Sequence, residues 1–196
     1  MGFILILLIA AEGSAAEPLV EKMRNTEFMT GDFVQTDRWA LTLEEETSSG
    51  TMYIARPDLF LLSYSDPEGY RKGYDGSVLY TVEPDLEQVI LYTSSEPGSF
   101  LHMLDRCTDP AVTETVVSRG DSVRVIMEGD LGQGISVMEV AFTSADSLPY
   151  YFSTTDYNGN VTSYTISGVT ASNTFSIEDF QLTVPEGYAV VEPEEM

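Results

Sequence analysis

The sequence predicts a mostly β fold, a curved antiparallel sheet or barrel interrupted by two short helical segments. Three observations carry this expectation. Short β-prone runs recur about every ten residues. Turn residues such as Asp75-Gly76, Gly120-Asp121 and Asn158-Gly159 separate many of them. No crossover helices are present to join parallel neighbours.

Taken in order, residues 3–11 are an unbroken apolar run, followed by the small residues Gly13, Ser14, Ala15 and Ala16. A run of this length suits a signal-peptide core and is too short to span a bilayer. Cleavage is expected after Ala16, so that residues 1–16 are lost and Glu17 begins an exported chain. No Lys or Arg precedes the run, so either the true start lies upstream or the amine alone serves. No cysteine follows the small residues, and the mature chain is expected to be released without a lipid of its own. Pro18 suits the first turn of a short helix over 18–23, with Leu19, Val20 and Met23 on one side. Such a short helix must rest that side on something.

Strands are expected at 32–36, 39–43, 50–55, 59–64, 78–82 and 88–92, with Asp75-Gly76 turning a hairpin after Tyr74. Residues 97–107 interrupt them. Phe100, Met103, Leu104 and Cys107 fall at i, i+3, i+4 and i+7, an amphipathic helical stripe opened by Pro97-Gly98 and closed by Asp109-Pro110. Strands resume at 114–118, 123–128, 135–142, 150–155 and 161–169, and 180–182 reads as a last short one. A single domain therefore runs over 17–191, and 192–196 is an acidic tail.

The 196 residues carry 9 Lys and Arg against 32 Asp and Glu, a net charge of −23. That surface repels phosphate backbones and argues against a nucleic-acid partner. It fits solubility, a salty habitat or the docking of a basic partner. The one cysteine is Cys107 and the one histidine His102, so no intramolecular disulfide can form and a zinc or copper site has little to be built from. Five positions apart on a helix, the two side chains diverge too far for a Cys–His nucleophile pair. No serine sits in a nucleophile elbow and no Gly-rich phosphate loop occurs. No catalytic residue, metal or cofactor is expected, and binding is favoured over catalysis. The strands supply many large apolar side chains, and the 8 methionines suit a wall that adapts to variable chains. An ordinary packed core would use the same side chains.

Residues 50–60, Gly-Thr-Met-Tyr-Ile-Ala-Arg-Pro-Asp-Leu-Phe, resemble the hallmark strand–turn–strand of the outer-membrane lipoprotein carrier protein (LolA) family. Upstream, Asp32-Phe33-Val34-Gln35-Thr36 is similar to that family's F-x-Q strand. Downstream, 74–80 resembles its D-G-x-x-L-(W/Y) hairpin, with Tyr80 where Trp is frequent, and 180–187 resembles its closing F-x-x-x-x-P-x-G. The resemblance covers nearly all of the mature chain, and Arg-Pro-x-Leu-Phe is its most specific part.

The resemblance implies an unclosed antiparallel β-barrel with an N-terminal helix and a mid-chain helical lid. It further implies a periplasmic chaperone for lipoprotein transport in outer-membrane biogenesis. Such a carrier takes triacylated lipoproteins from an inner-membrane lipoprotein-releasing transporter to an outer-membrane receptor, and it is expected to be a monomer. Arg56 matches the family arginine held to bond the lid. Arg56, Pro57, Phe100, Met103 and Leu104 are therefore the expected gate. Phe33, Met52, Ile54, Leu59, Phe60, Leu62, Tyr80, Tyr92, Met127 and Met138 are the expected acyl-chain contacts. The alternative is an exported lipid- or lipoprotein-sensing regulatory or structural module on the same fold.

Overall fold

Pro18 and the spacing of Leu19, Val20 and Met23 produce helix α1 (Glu17–Asn25), whose buried residues are those three. The helix stops at Thr26, where the chain turns extended and the hydroxyl donates to the Lys22 carbonyl at 2.8 Å. The computed structural model describes residues 15–92 and 111–192. The expected lid at 97–107, with Phe100, His102, Met103, Leu104 and Cys107, lies outside the described residues, as do most of the apolar leader and the last four residues.

Among the described residues, twelve strands form one sheet. In chain order they are β1 (Phe28–Arg38), β2 (Glu45–Ala55), β3 (Leu59–Asp66), β4 (Glu68–Tyr74), β5 (Leu79–Glu83) and β6 (Gln88–Tyr92). These are followed by β7 (Thr113–Arg119), β8 (Ser122–Glu128), β9 (Ile135–Thr143), β10 (Pro149–Asp156), β11 (Val161–Ser172) and β12 (Ala189–Val191). The spatial order is β12-β6-β5-β4-β3-β2-β1-β11-β10-β9-β8-β7. Every neighbouring pair is antiparallel except β12 on β6. The edge strands β12 and β7 do not pair with each other, so the sheet curves into an open barrel.

β1 is the middle of this sheet. It sets Phe33 opposite Gly50 of β2 on one side and Ile166 of β11 on the other. Period-2 alternation then carries one face across all the strands. On that face Phe33, Met52, Ile54, Phe60, Met127, Met138, Phe152 and Ile166 gather with Leu19, Val20 and Met23 of α1 into the main core. The apolar side of α1 thus rests on the concave face of the sheet.

The convex face is also apolar over β2–β6, because the C-terminal segment crosses it. A 3-10 turn (Ile177–Phe180) drops Phe180 onto Ala55 and Leu59. There Phe180 meets Phe28 and Phe175 edge-on, at 6.3 and 5.9 Å between ring centres. Leu182 and Tyr188 pack beside Tyr80, Val82 and Val89.

Two expected strands are corrected by this arrangement. Residues 39–43 are the reversal between β1 and β2: Arg38 already pairs with Glu45, and Leu43 N–H donates back to the Trp39 carbonyl at 2.8 Å. Residues 180–182 form no strand, because they lie over a sheet face and meet no free edge until β12 reaches β6. β4, which the sequence did not announce, carries two glycines and two cations. Its turn into β5 forms as expected, with Asp75 Oδ1 accepting from the backbone N–H groups of Ser77 and Val78 at 2.9 Å each.

Candidate binding hollow

The concave face has an apolar end and a polar end. At the apolar end β2 and β3 place Met52, Ile54, Phe60 and Leu62 beside Phe33, and β8 and β9 bring Met127 and Met138 from across the sheet. These seven expected acyl contacts share one cluster, Leu62 at its half-buried margin. α1 covers it with three side chains.

Tyr92 is partly exposed at the end of β6. Its pairing with Leu79, which packs on the main core, puts it on the hollow side. Leu59 and Tyr80 do not line the hollow. Leu59 packs on Ala55 and Phe180, and Tyr80 packs on Val82 and Val89 with its hydroxyl donated to the Phe180 carbonyl at 3.1 Å. Both were expected among the contacts. They face the other way because β3 and β5 are apolar on both faces, and alternation does not say which face is concave.

Arg56 and Pro57 form the exposed β2–β3 turn through a cis peptide, with Arg56 N–H donating to the Glu27 carbonyl at 3.0 Å. The turn sits at the apolar end of the hollow, beside the Ile54–Phe60 pair.

The polar end continues the same alternation past Phe33, to Gln35 and Asp37. Tyr64 donates to Gln35 Oε1 at 2.6 Å, and Gln35 Nε2 donates to Asp37 Oδ2 at 2.5 Å. The Thr162 hydroxyl donates to the other Asp37 oxygen at 2.5 Å. Around this chain stand the rings of Tyr70, edge-on to Tyr64 at 5.0 Å, and Tyr164, 6.0 Å from Phe33. Burial, then the neighbouring phenol and the Asp37 carboxylate, push Tyr64 well above the ordinary tyrosine range, and Tyr164 moves the same way for the same reasons. Tyr70 is raised by burial and by Glu83, with a hydrogen bond to Thr81 in partial opposition.

Lys72 of β4 stands opposite Leu62 and Thr81 on this face. Its side chain reaches water although neighbouring residues crowd it. Burial pulls its pKa down while Asp37 pushes it back up. Sequence reasoning placed none of this polar set among the site residues, although Gln35 belongs to the F-x-Q resemblance. The signal was available in β1, where Gln35 and Asp37 fall in phase with Phe33.

An open sheet with one short helix over its apolar concave face, and phenols and an amide beyond it, defines the class of open-barrel folds. The sequence profile of the outer membrane lipoprotein carrier protein LolA family matches residues 24–183, and the chain belongs to that family. It is 23% identical over 181 residues to an outer-membrane lipoprotein carrier protein of Francisella tularensis subsp. novicida, covering 91% of this chain and 88% of that one. A carrier protein of Pasteurella multocida is 31% identical over 85 residues, 43% of this chain and 42% of its own. A conserved protein of Thermus thermophilus has the same fold at a TM-score of 0.57 and 16% identity, across 91% of this chain and 99% of that one.

Proposed function

We propose that this chain is a periplasmic carrier, exported through a cleaved signal peptide. It holds the acyl chains of lipoproteins in the apolar end of its hollow and ferries them from the inner to the outer membrane. The observation that carries the reading is the cover on that apolar cluster. A nine-residue helix, α1, closes it with Leu19, Val20 and Met23, where an ordinary sandwich would interdigitate a second sheet.

The energetics suit exchange. Three buried side chains of this size contribute roughly 5–9 kcal/mol. One long acyl chain gains roughly 10 kcal/mol at about 0.8 kcal/mol per CH₂. A chain that displaces α1 therefore changes the free energy modestly, and cargo can both enter and leave. Loading by an inner-membrane transporter and delivery to an outer-membrane receptor, with the carrier as a monomer, complete the proposal. Arg56, at the pocket's end of β2, acts as the gate through charge-assisted bonds to backbone carbonyls of the 97–107 segment. Arg56→Leu should then load cargo and unload it poorly, and normal unloading by that variant excludes the gate.

The test is native mass spectrometry of the chain from Glu17, secreted and purified without detergent, then incubated with triacylated peptide. Bound acylated peptide that is lost in Phe60→Asp is the expected result. A clean apo mass under the same conditions overturns the carrier reading and favours a regulatory or structural module.

A further inference from the structure

The β1–β2 reversal exposes apolar side chains that neither the core nor the hollow uses. Leu41 is 95% exposed, Leu43 75% and Trp39 39%. Single exposed leucines are ordinary, but three large apolar residues within five positions at one tip mark a contact surface.

The tip is held in a fixed shape. Trp39 N–H donates to the Glu44 carbonyl at 3.1 Å, and Leu43, at φ 59°, donates to the Trp39 carbonyl. Ala40 N–H donates to Asn160 Oδ1 at 3.0 Å, which ties the tip to the β10–β11 turn. Asn160 is itself fixed by Asp156, through its backbone N–H at 2.9 Å and its amide at 2.8 Å. A surface ordered beforehand loses little freedom on binding. Between the hairpin and that turn lies an open groove of about 970 Å³, with Trp39 and Leu41 as its apolar wall and Glu44, Glu45 and Glu46 along its border.

We propose that this groove docks a protein segment that carries Lys or Arg beside apolar side chains. Charge selects that occupant. The three glutamates are consecutive, Arg38 stands opposite only Glu45 across the ladder, and the whole chain is at −23. A basic rim around an apolar socket complements this surface, whereas anionic lipid headgroups are repelled by it. The site also lies away from the gate turn: β2 separates Glu45 from Ala55 by ten residue steps, roughly 33 Å at the rise of a strand. Docking at one end therefore leaves the Arg56 end free. The inference stands without the carrier reading, since it uses no residue of the apolar pocket.

The test places a photo-crosslinking amino acid at Thr42 of the full-length chain in its own cells, with Ile177 on the outer face as the control position. The crosslinked peptide is then sequenced. The expected result is one protein, joined at a segment with Lys or Arg flanking apolar residues. Its yield should fall roughly tenfold with Leu41→Ser and with Glu44→Lys/Glu46→Lys, while circular dichroism stays unchanged. A product insensitive to the charge reversal, or no protein product at Thr42 above the Ile177 control, overturns the proposal. In a parallel measurement, vesicles of phosphatidylethanolamine and phosphatidylglycerol should not co-sediment the protein. Sedimentation that Leu41→Ser abolishes would reassign the tip to a membrane surface and overturn it too.

Discussion

Gly73 and Tyr80 face each other across the β4–β5 ladder, and the tyrosine ring fills the space a side chain at Gly73 would need. A Cβ there would lie 2.7 Å from the Tyr80 hydroxyl, 2.8 Å from Cζ and 2.9 Å from the Phe60 carbonyl oxygen. The ring can then extend to Phe180 and bond its carbonyl. One glycine thus lets β5 fasten the C-terminal segment to the convex face.

Gly73→Ala should destabilise the protein by about 1–3 kcal/mol, the usual cost of overpacking. Tyr80→Phe should cost about 1 kcal/mol for the lost hydrogen bond. Urea unfolding of both, with Tyr80→Leu and Gly73→Ala/Tyr80→Leu added to complete the cycle, checks the coupling. If the double variant equals the sum of its singles, the ring is not what excludes a side chain at Gly73.

Leu19 is fully buried on the concave face, so Leu19→Asp should lift α1 from the sheet. An unpaired carboxylate cannot stay in that pocket at neutral pH without a cost of several kcal/mol. The strands are paired independently of α1, so strand circular dichroism should persist while an apolar dye gains fluorescence by binding the uncovered pocket. No gain in dye binding would mean that the pocket collapses when the helix leaves. A preformed acyl site would then be untenable.

The strand runs and α1 were legible because a period of two or of 3.6 leaves its mark wherever one face is buried and the other wet. That mark is what places Phe33, Met52, Ile54, Phe60, Met127 and Met138 together. It misleads at Leu59 and Tyr80, where the C-terminal segment gives the convex face an apolar cover of its own. It misleads again at Trp39, Leu41 and Leu43, whose alternation reads as a half-buried strand although the side chains meet water. β4 was missed because Gly69, Arg71, Lys72 and Gly73 have low β propensity. That strand is held by its neighbours and by the Tyr80 ring. The polar end of the hollow escaped because a search for acyl contacts passes over Gln35 and Asp37.

Gly50 occupies the register shift where β2 meets β3, and its missing side chain admits the opposite backbone. A Cβ would stand 2.2 Å from the Ser63 carbonyl oxygen and 2.8 Å from Tyr64 Cα. These are backbone atoms and cannot rotate aside. Gly50→Ala should therefore cost about 3 kcal/mol or more, at the top of the overpacking range. It should also displace Tyr64 from Gln35, which shifts the Tyr64 ring resonances in an NMR spectrum. A variant as stable as the parent, with those resonances unmoved, would show that the two strands do not approach so closely.

Alkaline pH should unfold the protein from its phenols. Burial raises Tyr64, Tyr70 and Tyr164 above their ordinary value and pushes Tyr80 up to about 12. An unfolded tyrosine titrates near about 10. Between that pH and the raised folded values, the unfolded chain has given up protons that the folded chain retains. A rise in pH then favours unfolding. The contribution is fully present below about pH 10 and is lost as pH climbs through the folded values. Urea midpoints should accordingly fall above about pH 10, and phenolate absorbance should show these rings ionising together with unfolding, after the exposed tyrosines. Tyr164→Phe removes one raised phenol, so its decline with pH should be shallower than the parent's. An identical decline in the two proteins would place the alkaline sensitivity elsewhere, in the mutual repulsion of a chain already at −23.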